Sequence, residues 1–261
     1  MYSMITLEDD YMEQRKRPGG VGGLGYYTFF EKTSENGCIY CGSPASTREH
    51  VPSKTFLIEP YPENMCVVPA CFECNNGYSR DEKYVSCFLD VLKAAIYDGY
   101  VCNSNTIIRL SQDDNLKKLL DEQIKVIDEK VYYTIDEKRL CNIILKLAKG
   151  HAGFELDYVC LDDCEIKLAY NFAFNMSESD IGVFAEVPEI SVVHEVGSRC
   201  CNAPLILRNI KTGDESAFLF WHEVQENQYR YQTVYNEDGV ISVKIVIYEI
   251  LYCRIDFCKR K

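Results

Sequence analysis

The hydrophobic positions change period along this chain, and that change divides it. From Ser79 to Tyr100 the apolar residues Tyr84, Cys87, Phe88, Val91, Leu92 and Ala95 recur at three- and four-residue steps, which predicts a helix with one buried stripe. Ser79 with Glu82 has the form of a capping box at its start. The same period predicts a second helix over Ser111–Lys130 and a third over Asp136–Lys149, with Gly150 as a helix stop. Past about residue 155 the helical period fades. Ile166–Phe174, Ile190–Val196, Leu205–Ile210, Ala217–Val224, Gln228–Tyr235 and Val240–Tyr252 are rich in Val, Ile, Tyr and Phe and predict strands. Turn residues such as Thr212-Gly213 and Glu237-Asp238-Gly239 separate them. The expected class is α+β: an N-terminal module, a helical middle and an antiparallel, β-rich C-terminal region.

Upstream of the helices no period holds. Residues 1–17 are polar and charged, Pro18 to Gly23 is a breaker run, and Tyr26–Phe30 is a short strand candidate. The expected organisation is an extension over 1–30, a module with its following helix over 31–100, and an α+β region over 101–261.

Composition adds constraints. At 261 residues, 47% hydrophobic and 26% charged, the chain is long and apolar enough for a sizeable core. No run of about 20 apolar residues suggests a membrane span, and the N-terminus has no apolar segment of the secretory kind. The 14 cysteines then read as reduced thiols plus a metal site, and the expected compartment is the cytoplasm. Forty acids against 28 Lys and Arg give a net charge of -12. That field repels nucleic acid, so any such partner has to meet a local basic strip or a divalent cation. Lys138, Arg139, Lys146 and Lys149 on the third helix are one candidate strip.

The chemistry concentrates between Cys38 and Asn76. Two Cys-x-x-Cys pairs, Cys38/Cys41 and Cys71/Cys74, can present four thiolates to one tetrahedral ion, the closed donor set of structural zinc. Gly37 and Gly42 suit the tight turn of the first pair. Between the pairs stands Glu49-His50, and Asn75 follows the last cysteine. Hydrolysing a phosphodiester needs a base for water and a cation for the charge on the phosphate. Histidine titrates near neutrality and suits the base. A carboxylate and an amide oxygen are hard donors that suit magnesium or manganese. Neighbours on a strand point to opposite faces, so Glu49 and His50 share one ion only if the chain bends there.

The run Cys-x-x-Cys, Glu-His-Val-Pro, Asn, Val-Pro-Ala-Cys-x-x-Cys-Asn resembles the HNH endonuclease family in its zinc-knuckle form, over roughly residues 36–84. The resemblance implies a ββα-metal module in which Cys38, Cys41, Cys71 and Cys74 hold structural zinc. It implies that His50 is the general base and that Glu49 and Asn75 hold a catalytic Mg2+ or Mn2+. It also implies that Asn64 holds the base in place from the hairpin loop. Glu49 stands where Asp is commoner in the family, and Arg80 could supply a phosphate contact. The implied function is a metal-dependent endonuclease acting on nucleic acid, DNA in the first place, with a protein partner for the C-terminal region. The alternative is a catalytically inactive, zinc-stabilised scaffold that binds a protein or nucleic acid.

Overall fold

The computed structural model describes the backbone of residues 3–6, and residues 37–63, 65–156, 158–159, 164–190, 204–236 and 238–259. Mixed α+β architecture with antiparallel sheets is what these residues form. Strand β1 (Ser3–Thr6) precedes a hairpin of β2 (Thr47–Val51) and β3 (Cys66–Ala70), and the helices α1 (Phe72–Gly77) and α2 (Ser79–Ile96) follow. Next come α3 (Ser104–Gln112), α4 (Asp114–Gln123), the hairpin β4 (Ile124–Ile127) and β5 (Lys130–Tyr133), and the long helix α5 (Glu137–Leu156). The rest is β6 (Cys164–Phe172), α6 (Glu178–Ala185), β7 (Glu189–Ile190), β8 (Pro204–Arg208), β9 (Glu215–Leu219), β10 (His222–Gln225), β11 (Tyr229–Tyr235), β12 (Ile241–Ile247) and β13 (Leu251–Lys259).

The largest sheet has six strands in the order β1-β6-β13-β12-β11-β10, and β7-β9-β8 form a smaller one. Its first strand lies within the extension over 1–30, where the polar residues 1–17 predicted no element. Ser3–Thr6 pairs antiparallel with Lys167–Tyr170 of β6. Helix α5 lies between this sheet and the N-terminal hairpin. Leu140, Cys141, Ile143, Ile144, Leu145, Leu147 and Ala148 are all buried, the pattern of a helix enclosed on every side. A single cluster of buried residues therefore runs from Cys38 to Phe257, across the boundary expected at residue 100.

Gly150 is inside α5 and does not stop it. A Cβ there would meet Val51 Cγ1 and Cγ2 at 2.8 Å and Tyr40 Oη at 3.4 Å, so glycine is what lets the hairpin approach the helix. Alanine would gain about 1 kcal/mol of helix propensity. Against that, overpacking on a stiff β-branched side chain costs about 1–3 kcal/mol. Gly150→Ala is therefore expected to lower the denaturant midpoint, and Gly150→Ala with Val51→Ala to recover part of the loss. A Gly150→Ala protein as stable as wild type would refute the close contact.

Two other expectations fail where turns lack glycine. The helix expected over Ser111–Lys130 is instead the last two residues of α3, all of α4 and then β4, with a break at Asp113, whose carboxylate caps α4 by accepting from the Leu116 N–H at 3.0 Å. The β4–β5 hairpin then turns on Asp128 and Glu129, both at positive φ. Val240–Tyr252 is likewise two strands, turning at Tyr248 and Glu249 with φ of 57 and 53. Arg230 secures that turn by donating to both Glu249 carboxylate oxygens, at 2.8 and 2.9 Å.

No helix among the described residues is long and apolar enough to cross a membrane. Ten of the described cysteines are free thiols, but Cys164 is disulfide-bonded, against the expectation of reduced cysteines throughout.

Candidate metal centre

The sulfurs of Cys38, Cys41, Cys71 and Cys74 all lie within 4.8 Å of one another, with Cys41 Sγ and Cys71 Sγ 3.7 Å apart. Four thiolates around zinc at about 2.3 Å sit about 3.8 Å apart, so this donor set fits a metal ion such as zinc. The first pair is shaped by a tight turn: the Gly42 N–H donates to Cys38 O at 2.6 Å and the Cys38 N–H to Ser43 O at 2.7 Å. Gly37 has φ 85 and a Cβ on it would stand 2.5 Å from Ser43 O, which excludes any side chain there. The second pair begins α1, where the Cys71 sulfur caps the helix by accepting from the Cys74 N–H at 3.3 Å. The Cys74 thiol donates to Cys38 and holds it down at about 5 despite burial, while Cys74 itself is pushed up.

The hairpin between the pairs carries the other expected residues. Its register places Glu49 opposite Val68 and His50 opposite Val67. Pro69, opposite Arg48, turns its carbonyl away from β2 to accept from the Ile39 N–H at 3.1 Å. Its missing N–H therefore costs the β2–β3 ladder nothing. Along β2, Glu49 and Val51 are buried whereas Arg48 is exposed and His50 half-buried, so Glu49 and His50 face opposite sides of the strand.

Glu49 does not occupy the position expected of it. It is 6% exposed and its Oε1 accepts from Lys146 Nζ at 2.8 Å. Lys146, 2% exposed on α5, also binds Glu82, whose Oε2 accepts from Ser53 Oγ at 3.1 Å. The Tyr40 and Tyr78 rings lie 5.9 and 5.5 Å from the same ammonium. Burial pushes the Glu49 carboxyl up; Lys146 pulls it down and Glu82 adds a further upward push. A cation already holds this carboxylate, and the divalent ion assigned to Glu49 and Asn75 does not fit there without displacing it. The capping box expected from Ser79 and Glu82 is replaced for the same reason, since Glu82 faces Lys146 and α2 has no side-chain cap.

His50 and Asn75 are better placed for chemistry. Burial and the nearby Lys54 ammonium both hold the His50 imidazole below its ordinary value, so it is neutral at neutral pH. Asn75 Nδ2 donates to Thr47 Oγ1 at 3.0 Å and to Arg48 O at 3.5 Å. Thr47 Oγ1 spends its own proton on Ala70 O at 2.9 Å and can only accept from Asn75. Those bonds fix the amide's orientation and leave Oδ1 as its free donor oxygen. Asn76 turns back to its own helix, donating to Phe72 O at 3.0 Å. Asn64 lies outside the described residues.

Lys146, expected on a basic strip with Lys138, Arg139 and Lys149, is the residue that sequence reasoning misplaced. Its place among Ile143, Ile144 and Leu147, inside the apolar part of the helix, was the available signal. Arg139 is also committed, at 3.7 Å from Asp81 and 3.3 Å from Asp136, so the strip does not form. His151 is fully buried against the Tyr231 ring at 3.6 Å, with Nε2 2.8 Å from Tyr229 Oη. No protein-family model, curated protein or solved structure matches this chain at a significant level.

Proposed function

We propose that this chain is a nuclease of the HNH type that hydrolyses phosphodiester bonds in nucleic acid, DNA in the first place. The observation that carries the reading is the four-thiol cluster that brings the Cys38 turn to the start of α1, with Asn75 tying α1 to β2 and a neutral His50 half-buried on the face of β2 opposite Glu49. In this reading the four cysteines hold structural zinc and the hairpin with α1 is the ββα-metal module. The His50 imidazole takes a proton from a water, the resulting hydroxide attacks phosphorus, and the P–O3′ bond breaks. Asn75 ties α1 to β2 and offers Oδ1 as the donor left free for the divalent ion that the resemblance implies.

Plasmid DNA incubated with magnesium or manganese tests this directly. Wild type is expected to nick it, and His50→Ala to be slower by about a hundredfold to ten-thousandfold. Absence of nicking by wild type, or equal rates for the two proteins, overturns the reading. A second reading has its own observation in favour. Glu49 is locked to Lys146, and the surface is strongly acidic. Both features suit a zinc-stabilised scaffold without activity that recognises a partner through its C-terminal region, and such a protein would not nick.

A further inference from the structure

The acidic chain leaves open how a polyanion reaches His50, and the surroundings of that residue supply an answer. Arg48 and His50 stand two residues apart on the outer face of β2, about 6.6 Å along the strand. Lys54, itself exposed, stands four residues beyond His50 at the start of the 3-10 turn Lys54–Phe56. Neither cation forms an ion pair among the described residues. Elsewhere in the fold Lys83 pairs with Asp113, Arg139 with Asp81 and Asp136, and Arg230 with Glu249. The turn carrying Lys54 is also held firmly. Ser53 Oγ caps it, Thr55 O accepts from Arg109 Nη1 at 3.2 Å, and Ile58 exchanges hydrogen bonds of 2.8 and 2.7 Å with the Gln225 amide. The Lys54 ammonium itself rests over the Tyr61 ring, 5.2 Å from its centroid.

We propose that Arg48, on the His50 face of β2, and Lys54, on the turn that follows that strand, are the contacts for the phosphate backbone of a nucleic-acid strand that presents a phosphodiester to His50. The identity of the anion as nucleic acid rests on the nuclease reading. The guanidinium can grip one phosphate through two parallel N–H donors, and the ammonium supplies a second, point-like charge. The net charge of -12 does not prevent this. At about 0.1 M salt, charges more than about 10 Å away are largely screened, so most of the chain's acids act only weakly on a strand docked at these two cations.

The test is fluorescence anisotropy of a labelled oligonucleotide, single-stranded and duplex, without added divalent ion, across a salt series. The proteins are wild type, Arg48→Ala, Lys54→Ala, the double variant, and Lys117→Ala as a control that removes one exposed positive charge elsewhere. Wild type is expected to bind with a clear salt dependence. Each single variant should lower the slope of log K against log salt by about 1, and the double variant by about 2, with Lys117→Ala unchanged. A double variant with the wild-type slope, or a wild type with no salt-dependent binding, overturns the proposal. Unfolding midpoints equal to wild type confirm that each variant is folded. Binding that follows this pattern without any plasmid nicking keeps the two contacts and removes the nuclease reading. Nicking by wild type with unaltered binding by the double variant does the reverse.

Discussion

Lys146→Met is expected to lower the free energy of unfolding by about 3–5 kcal/mol, the cost of leaving a buried charge without its partner. Methionine keeps most of the aliphatic stem, so little of the loss is packing. What disappears is the one ammonium between Glu49, at 2.8 Å, and Glu82. The Ser53 hydroxyl still donates to Glu82, and nothing comparable remains for Glu49. The pH dependence separates this cause from simple loss of packing. Burial and Glu82 already push the Glu49 carboxyl up, and Lys146 is the group that pulls it down. Without Lys146 the folded protein holds a proton that the unfolded chain has released. Stability is then greatest below the unfolded carboxylate value of about 4.3 and is lost as pH rises through the raised folded one. Urea midpoints should show a variant that is relatively better off at about pH 5 than at about pH 7.5. Adding Glu49→Gln to Lys146→Met should recover part of the loss. A variant with the wild-type midpoint at both pH values would show that the triad carries no such charge balance.

The same triad marks where the sequence stopped being legible. The cysteine spacing identified a donor set that closes in space, because two Cys-x-x-Cys turns constrain their own geometry wherever the chain carries them. Helix α2 and most strands of the large sheet followed from periodicity, since one buried face repeats every 3.6 or 2 residues. Failures came where a tertiary partner outweighed the local signal. Glu49 and His50 were read together because they are adjacent, yet a strand sends neighbours to opposite faces. A lysine 97 positions away on α5 decided what became of Glu49. Gly150 looked like a helix end because glycine ends many helices, but here it answers to Val51 and Tyr40 across a contact that no local pattern encodes. The turns at Asp128-Glu129 and Tyr248-Glu249 adopt positive φ without glycine or asparagine, and at the second an arginine from the neighbouring strand holds the geometry.

Removing metal from the four thiols is the other change expected to have a large effect. Purified protein should hold one zinc per chain by elemental analysis, and Cys71→Ser or a strong chelator should release it. Zinc binding to four thiolates is worth on the order of 10 kcal/mol in peptides that have no other core. Here Ile39, Tyr40, Val51, Val68 and Tyr78 share the core with α5, so burial retains part of the module and the expected loss is several kcal/mol. That loss should be uneven. Without the ion, nothing joins the Cys38 turn to the start of α1 beyond weak contacts such as the hydrogen bond from the Cys74 thiol to Cys38. Hydrogen exchange should therefore quicken first in residues 37–78. It should spread next to the part of α5 around Gly150 and Gly153, whose neighbours Val51, Tyr40 and Ile39 belong to the hairpin module. The strands β6, β11, β12 and β13 pair among themselves and should keep their protection longest. His50 and Asn75 sit inside the region that loosens, so the zinc-depleted protein should also lose the nicking activity proposed for it, even with magnesium in excess. A metal-free protein with the wild-type midpoint and unchanged exchange in 37–78 would mean that packing alone holds the four thiols together.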